Sequence, residues 1–226
     1  ENVTASMNII TILENTSTKL MFCSTSEVYG DTCKDRGILK VNDPLTPSNP
    51  YAASKAAIDL YLQERFKNGF IKGFITRAFS HTGPRRGFNF SISSDAFQIA
   101  KMVLGLQDKV LRVGNLNTER VVIDVRDCVN AYYLLMMKPE SDGKVFNVCG
   151  TDVHKMQHFT DKLIEASGIP YDQIEQRIDE KLYRPIDIQV QIGDSTELVE
   201  ITEWKPEYSL EQTMTDLLNY WLKKLK

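Results

Sequence analysis

A phenol and an ammonium four residues apart give the first chemical signal, in Tyr51-Ala52-Ala53-Ser54-Lys55. On a helix that spacing puts Tyr51 and Lys55 on one face, a turn apart. An ammonium beside a phenol stabilises the phenolate, so such a tyrosine can serve as an acid or base near neutral pH. Upstream, Ser24-Thr25-Ser26-Glu27 places hydroxyls and a carboxylate directly after the apolar run Leu20-Met21-Phe22-Cys23. With the activated phenol they make a set of groups able to bind a ligand and exchange protons with it.

The elements that must hold these groups follow from the pattern. Leu20 to Cys23 reads as a short buried strand, and the space past a parallel strand's C-terminal end is where open α/β sheets bind ligands. Pro50 suits the first turn of a helix running to about Phe66, with Asn49 or Ser48 as its cap. Val3, Met7, Ile10 and Leu13 recur at helical spacing, predicting an amphipathic helix over 2–14. Gly69 and Gly73 lead into a strand over Phe74 to Phe79. Further helices are expected over 96–106, 128–137 and 158–167, and strands over 110–116, 144–150 and 186–192. This alternation argues for a doubly wound parallel α/β sheet with crossover helices.

Tyr51-x-x-x-Lys55 after a Ser/Thr cluster at a strand end resembles the short-chain dehydrogenase/reductase superfamily. Ser24-Thr25-Ser26-Glu27-Val28-Tyr29-Gly30 with Ser48-x-Pro50-Tyr51 is similar to its extended branch, which acts on nucleotide-diphosphate sugars. The resemblance runs over nearly the whole chain and points to the GDP-mannose 4,6-dehydratase group, with GDP-4-keto-6-deoxymannose reductases as near relatives. It implies a Rossmann-type fold with a smaller C-terminal substrate domain. Residues 1–80 and 121–150 would belong to the NAD(P)-binding part, and 81–120 and 151–226 to the sugar-nucleotide part. The implied cofactor is NADP, with NAD as the alternative.

The resemblance also implies roles. Thr25, Glu27, Tyr51 and Lys55 would be catalytic, with Tyr51 and Lys55 also touching the cofactor. In Pro84-Arg85-Arg86-Gly87-x-Asn89-Phe90 the family's loop meets the cofactor through His81 and Arg86. Ser24, Ser26 and Asn89 would contact substrate. Arg120, in a run resembling Arg-Asp-Phe-x-x-Val-x-Asp, and Arg184, in Tyr183-Arg184-Pro185-Ile186-Asp187, would bind its diphosphate. The chain departs from the pattern at Ser80, where relatives usually have asparagine, at Ser91 to Asp95, where the dehydratases carry basic residues, and at Val121, where an aspartate is usual. The implied reaction is conversion of GDP-mannose to GDP-4-keto-6-deoxymannose. The alternatives are the reductase, another epimerase or dehydratase, or a non-catalytic sugar-nucleotide-binding module.

None of the 12 glycines falls in a G-x-x-G-x-x-G or G-x-G-x-x-G spacing after a strand. By the resemblance, the opening strands and the pyrophosphate-binding turn would lie upstream of Glu1. With 226 residues, 42% hydrophobic and 25% charged residues and a net charge of −3, the composition is that of an ordinary soluble globule. That balance argues against nucleic acid as a partner. No apolar run reaches the ~18 residues of a membrane span, and Glu1-Asn2-Val3-Thr4 does not open a signal peptide. The four cysteines are scattered, which suits a reducing cytoplasm, and Cys23 and Cys149 are expected to be buried thiols. No metal site is expected: His154 and His158 lack partner ligands. Arg126 and Asp127 are expected to cap the helix that follows them. Residues 51–66, like 2–14, are expected to form an amphipathic helix, and by the resemblance the two would pack against their copies in a homodimer or homotetramer.

Overall fold

The computed structural model describes residues 2–35, 37–183 and 190–226. Its first half contains α1 (Asn2–Leu13), β1 (Lys19–Thr25), α2 (Thr32–Asp35), α3 (Pro50–Lys67), β2 (Lys72–Ala78), β3 (His81–Thr82), α4 (Ser91–Val103) and β4 (Val110–Val113). There follow β5 (Glu119–Val121), β6 (Ile123–Asp124), α5 (Val125–Met136), β7 (Val145–Val148), β8 (Val153–Lys155), α6 (Met156–Ser167), β9 (Glu175–Ile178), α7 (Thr196–Thr202) and α8 (Leu210–Leu225). They fall into two compact units: residues 1–80, 128–151 and 191–205, and residues 81–127, 152–190 and 206–226.

The first unit is a Rossmann-type α/β assembly. Among the described residues its sheet has the order β1-β2-β7. Pairing is parallel throughout, from Lys19↔Lys72 to Thr25↔Ala78 and from Ile75↔Val145 to Ala78↔Val148. Parallel neighbours need a crossover, and α3 supplies it between β1 and β2. Ile10 of α1 and Ile58, Leu62 and Phe66 of α3 pack with Ile71 and Ile75, each apolar side chain so buried contributing about 1.5–3 kcal/mol. Phe74 alternates to the other side of β2 and meets Phe146 edge-on at 6.2 Å.

Two expectations change here. Helix α3 is not amphipathic: beside its buried apolar face, its outer face carries exposed Ala53, Ala57 and Leu60. Cys23 is exposed and only Cys149 of that pair is buried, because it is Ser24 that β1 turns inward.

In the second unit α4, α6 and α8 surround a core that includes Ile99, Leu111, Phe159, Leu163, Leu217 and Trp221. Short strand pairs flank it: β3 with β6 and β4 with β9 in parallel, β5 with β8 antiparallel. Helix α4 starts at Ser91, earlier than expected. The run Ser91 to Asp95 precedes the expected helix over 96–106, yet it is helical and its Ile92, Ser93 and Asp95 are buried. Ser93 is satisfied there by donating to the Arg86 carbonyl at 2.7 Å and accepting from Trp221 Nε1 at 3.0 Å. Asp127 lies within the first turn of α5 rather than ahead of it. It is buried and accepts from the backbone N–H groups of Glu207 at 2.9 Å and Tyr208 at 3.3 Å. Arg126 pairs with Asp124 at 2.7 Å and Asp216 at 2.8 Å. The expected strand over 186–192 lies mostly outside the described residues.

Candidate active site

At the end of β1 the chain turns into a short 3-10 helix, Ser26–Tyr29. Thr25 is extended, and its Oγ1 accepts from the Glu27 N–H at 3.3 Å, capping that turn. Gly30 closes it at φ 46, where an added Cβ would lie 1.8 Å from the Thr46 carbonyl oxygen. No side chain fits that approach, so glycine is required. Thr46 then donates to the Tyr29 carbonyl at 2.6 Å and fixes the loop that returns to α3.

Asn49 is the cap of α3: its Oδ1 accepts from the Ala52 N–H at 2.8 Å. The same amide donates through Nδ2 to Glu27 Oε2 at 3.1 Å. Tyr51, 47% exposed, and Lys55 follow on the first turns of that helix. Lys55 reaches back over β1, donating to the Cys23 carbonyl at 2.9 Å with its ammonium 5.0 Å from the centre of the Phe22 ring. An ammonium has more donors than that carbonyl takes, so Lys55 can also hold the hydroxyls of a ligand beside the Tyr51 phenol. β1 and its turn thus carry Thr25 and Glu27, and the first turns of α3 carry Tyr51 and Lys55.

Beneath them lies a buried polar network. Ser24 donates to Asp59 Oδ2 at 2.6 Å, and Arg77 binds both oxygens of Asp59, at 2.9 and 2.8 Å. Arg77 also donates to Tyr29 Oη at 3.0 Å and to the Val41 carbonyl at 2.8 Å. Burial pushes the Tyr29 phenol up from its ordinary range, with Arg77 opposing. Tyr29 therefore keeps its proton and donates it to Asn147 Oδ1 at 2.7 Å. Ser24 and Ser26, the expected substrate contacts of this stretch, are both buried, and Ser24 donates into this network.

Among the described residues, the other expected contacts lie in the second unit. His81 is half-buried in β3, paired with Ile123. Arg86 lies 3.5 Å from the centre of the Phe90 ring, in the loop that Ser93 and Trp221 anchor. Asn89 is exposed in that loop. Arg120 sits in β5 opposite His154 and donates to the Glu119 carbonyl at 2.7 Å. The His154 and His158 rings stack at 4.4 Å. Arg184 lies outside the described residues.

Asn49, Asp59 and Arg77 carry more of the site than the sequence reading gave them. A signal existed for two of them. Asp59 continues the four-residue spacing of Tyr51 and Lys55, and an arginine inside the apolar run Phe74 to Phe79 demands a buried counter-charge.

The sequence model of the GDP-mannose 4,6 dehydratase family matches residues 1–217. The chain is 30% identical over its whole length to a GDP-6-deoxy-D-mannose reductase of Pseudomonas aeruginosa, 73% of which is covered. It is 29% identical to GDP-mannose 4,6 dehydratase 2 of Arabidopsis thaliana, with 89% of this chain and 52% of the plant protein covered. The structure of RMD from Pseudomonas aeruginosa complexed with NADPH superposes with a TM-score of 0.89 at 27% identity, over 99% of this chain and 73% of that one. The chain thus spans about three-quarters of the bacterial reductase and about half of the plant dehydratase. It belongs to the GDP-mannose 4,6-dehydratase family of extended short-chain dehydrogenases/reductases.

Proposed function

We propose that the protein of which these residues form part is an NADP-dependent dehydratase of a nucleotide-diphosphate sugar, converting GDP-mannose to GDP-4-keto-6-deoxymannose. The observation that carries this reading is Glu27, a carboxylate held at the start of the helix that bears Tyr51 and Lys55. Redox chemistry at C4 needs a phenol, an ammonium and a hydroxyl. Dehydration needs in addition a base for a carbon acid, and Glu27 is that base.

Tyr51, its phenolate stabilised by Lys55, takes the proton of the sugar 4-hydroxyl. Lys55 and Tyr51 would hold the cofactor, which would supply an acceptor for the C4 hydride and a donor for its return at C6. With C4 a ketone, the C5 proton is acidic. Glu27 removes it, and the C5–H electron pair becomes the C5–C6 double bond as the C6–O bond breaks. Thr25, whose oxygen accepts from the Glu27 N–H and whose own proton remains to donate, hydrogen-bonds the departing hydroxyl. The protons released to Tyr51 and Glu27 balance the one that completes water and the one that returns to C5. One water is lost and no cofactor is consumed.

His81 and Arg86 serve the cofactor, Asn89 serves the substrate, and Arg120 and Arg184 bind the diphosphate. Exposed Ile9, Ile12 and Leu60 on α1 and α3 support association of two copies through these helices.

The 30% identity to a reductase over 73% of its length favours a second reading, reduction of the 4-keto sugar, with Glu27 a bystander. Full-length protein given GDP-mannose and catalytic cofactor separates the two. A 4-keto-6-deoxy product without net cofactor use is expected. NADPH oxidation in step with reduction of a 4-keto sugar, with GDP-mannose untouched, overturns the dehydratase.

A further inference from the structure

We infer that Asn49 is a positioning residue for the carbon-acid step, holding the Glu27 carboxylate in register with the helix that carries Tyr51 and Lys55. This role rests on the dehydratase reading above. The amide uses both ends: Oδ1 accepts from the Ala52 N–H at 2.8 Å and Nδ2 donates to Glu27 Oε2 at 3.1 Å. Turned over, the amide would set its oxygen against the carboxylate and its NH2 against the Ala52 N–H, two repulsive contacts in place of two bonds. Each bond therefore enforces the other. The backbone end of Glu27 is held independently, its N–H donating to Thr25 Oγ1 at 3.3 Å. A catalytic carboxylate is useful only within a few tenths of an ångström of its target, and supporting hydrogen bonds supply that precision. Here one side chain both begins the helix of the acid/base pair and fixes the second base relative to it.

The two functions of Asn49 separate by substitution. In Asn49→Ser the hydroxyl still caps α3, but the N–H donor to Glu27 is gone. Asn49→Asp also keeps the cap and sets a second carboxyl against Glu27. In full-length protein with NADP and GDP-mannose, Asn49→Ser should slow solvent-deuterium entry at C5 by roughly 10-fold or more, within the ~10²-fold that an ångström of misplacement can cost. Formation of reduced nicotinamide in a single turnover, KM and Tm should stay near wild type. Asn49→Asp should slow C5 exchange at least as much, since it sets a like charge against Glu27 in place of a donor. Equal loss of both steps, or a fall in Tm that accounts for the loss, leaves Asn49 a helix cap only and overturns the inference. So does normal C5 exchange in Asn49→Ser. Wild-type protein that oxidises C4 but never exchanges at C5 overturns the dehydratase reading itself, and this role with it.

Discussion

Arg77 grips Asp59 through two parallel bonds, from Nε at 2.9 Å and Nη2 at 2.8 Å, with both side chains almost wholly removed from solvent. Such a pair is weak evidence for net stability, because desolvation offsets most of the attraction, but losing one partner strands a buried charge. Arg77→Met should therefore destabilise the protein by about 3–5 kcal/mol, measured by urea unfolding. Adding Asp59→Leu to Arg77→Met should recover much of that. A single variant within about 1 kcal/mol of wild type would show that water reaches Asp59, contrary to its burial.

The Asp95 carboxyl is buried between α4 and α6 and accepts from Thr160 Oγ1 at 2.8 Å. Burial pushes it up to about 7 from an ordinary 3.8, with the Thr160 hydrogen bond opposing. A carboxyl raised in the folded state favours folding while it is neutral. That contribution is complete below its unfolded pKa and is lost as pH rises through about 7. The gap corresponds to roughly 4 kcal/mol. Asp95→Asn should raise Tm at pH 8, leave it almost unchanged at pH 4, and flatten the profile between. A variant no more stable than wild type at pH 8 would mean the carboxylate ionises there at no cost.

Exposed Ile12 and Leu60, 74% and 55% open, lie on helices α1 and α3. Sedimentation at micromolar concentration should show a dimer or larger assembly, and Leu60→Glu should shift it toward monomer. A monomeric wild type would contradict the proposed association.

How far the sequence revealed these features varied with the physics of each. The Tyr51–Lys55 helix, its Asn49 cap and strand β1 were legible, because cap chemistry and apolar runs act within a few residues. The start of α4 was not: Ser91 to Asp95 is polar, and only contact with distant Trp221 and Thr160 makes burial acceptable. The inward turn of Ser24 was hidden for a related reason. Its type suits a ligand contact, and only the strand's facing, fixed by tertiary packing, turns it to Asp59. Arg120 and Arg86 were singled out by motif, a signal that gives residue identity without geometry.

The proposed division of labour between two bases is most directly tested in heavy water with GDP-mannose, comparing Glu27→Gln and Tyr51→Phe in full-length protein. Glu27→Gln keeps shape and the Asn49 contact but cannot accept the C5 proton. It should still form reduced nicotinamide while incorporating no deuterium at C5 and yielding no 6-deoxy product. Tyr51→Phe should slow the first oxidation by ~10²-fold or more. Full turnover and normal deuterium at C5 in Glu27→Gln would contradict the account, because the carbon acid would then have another base.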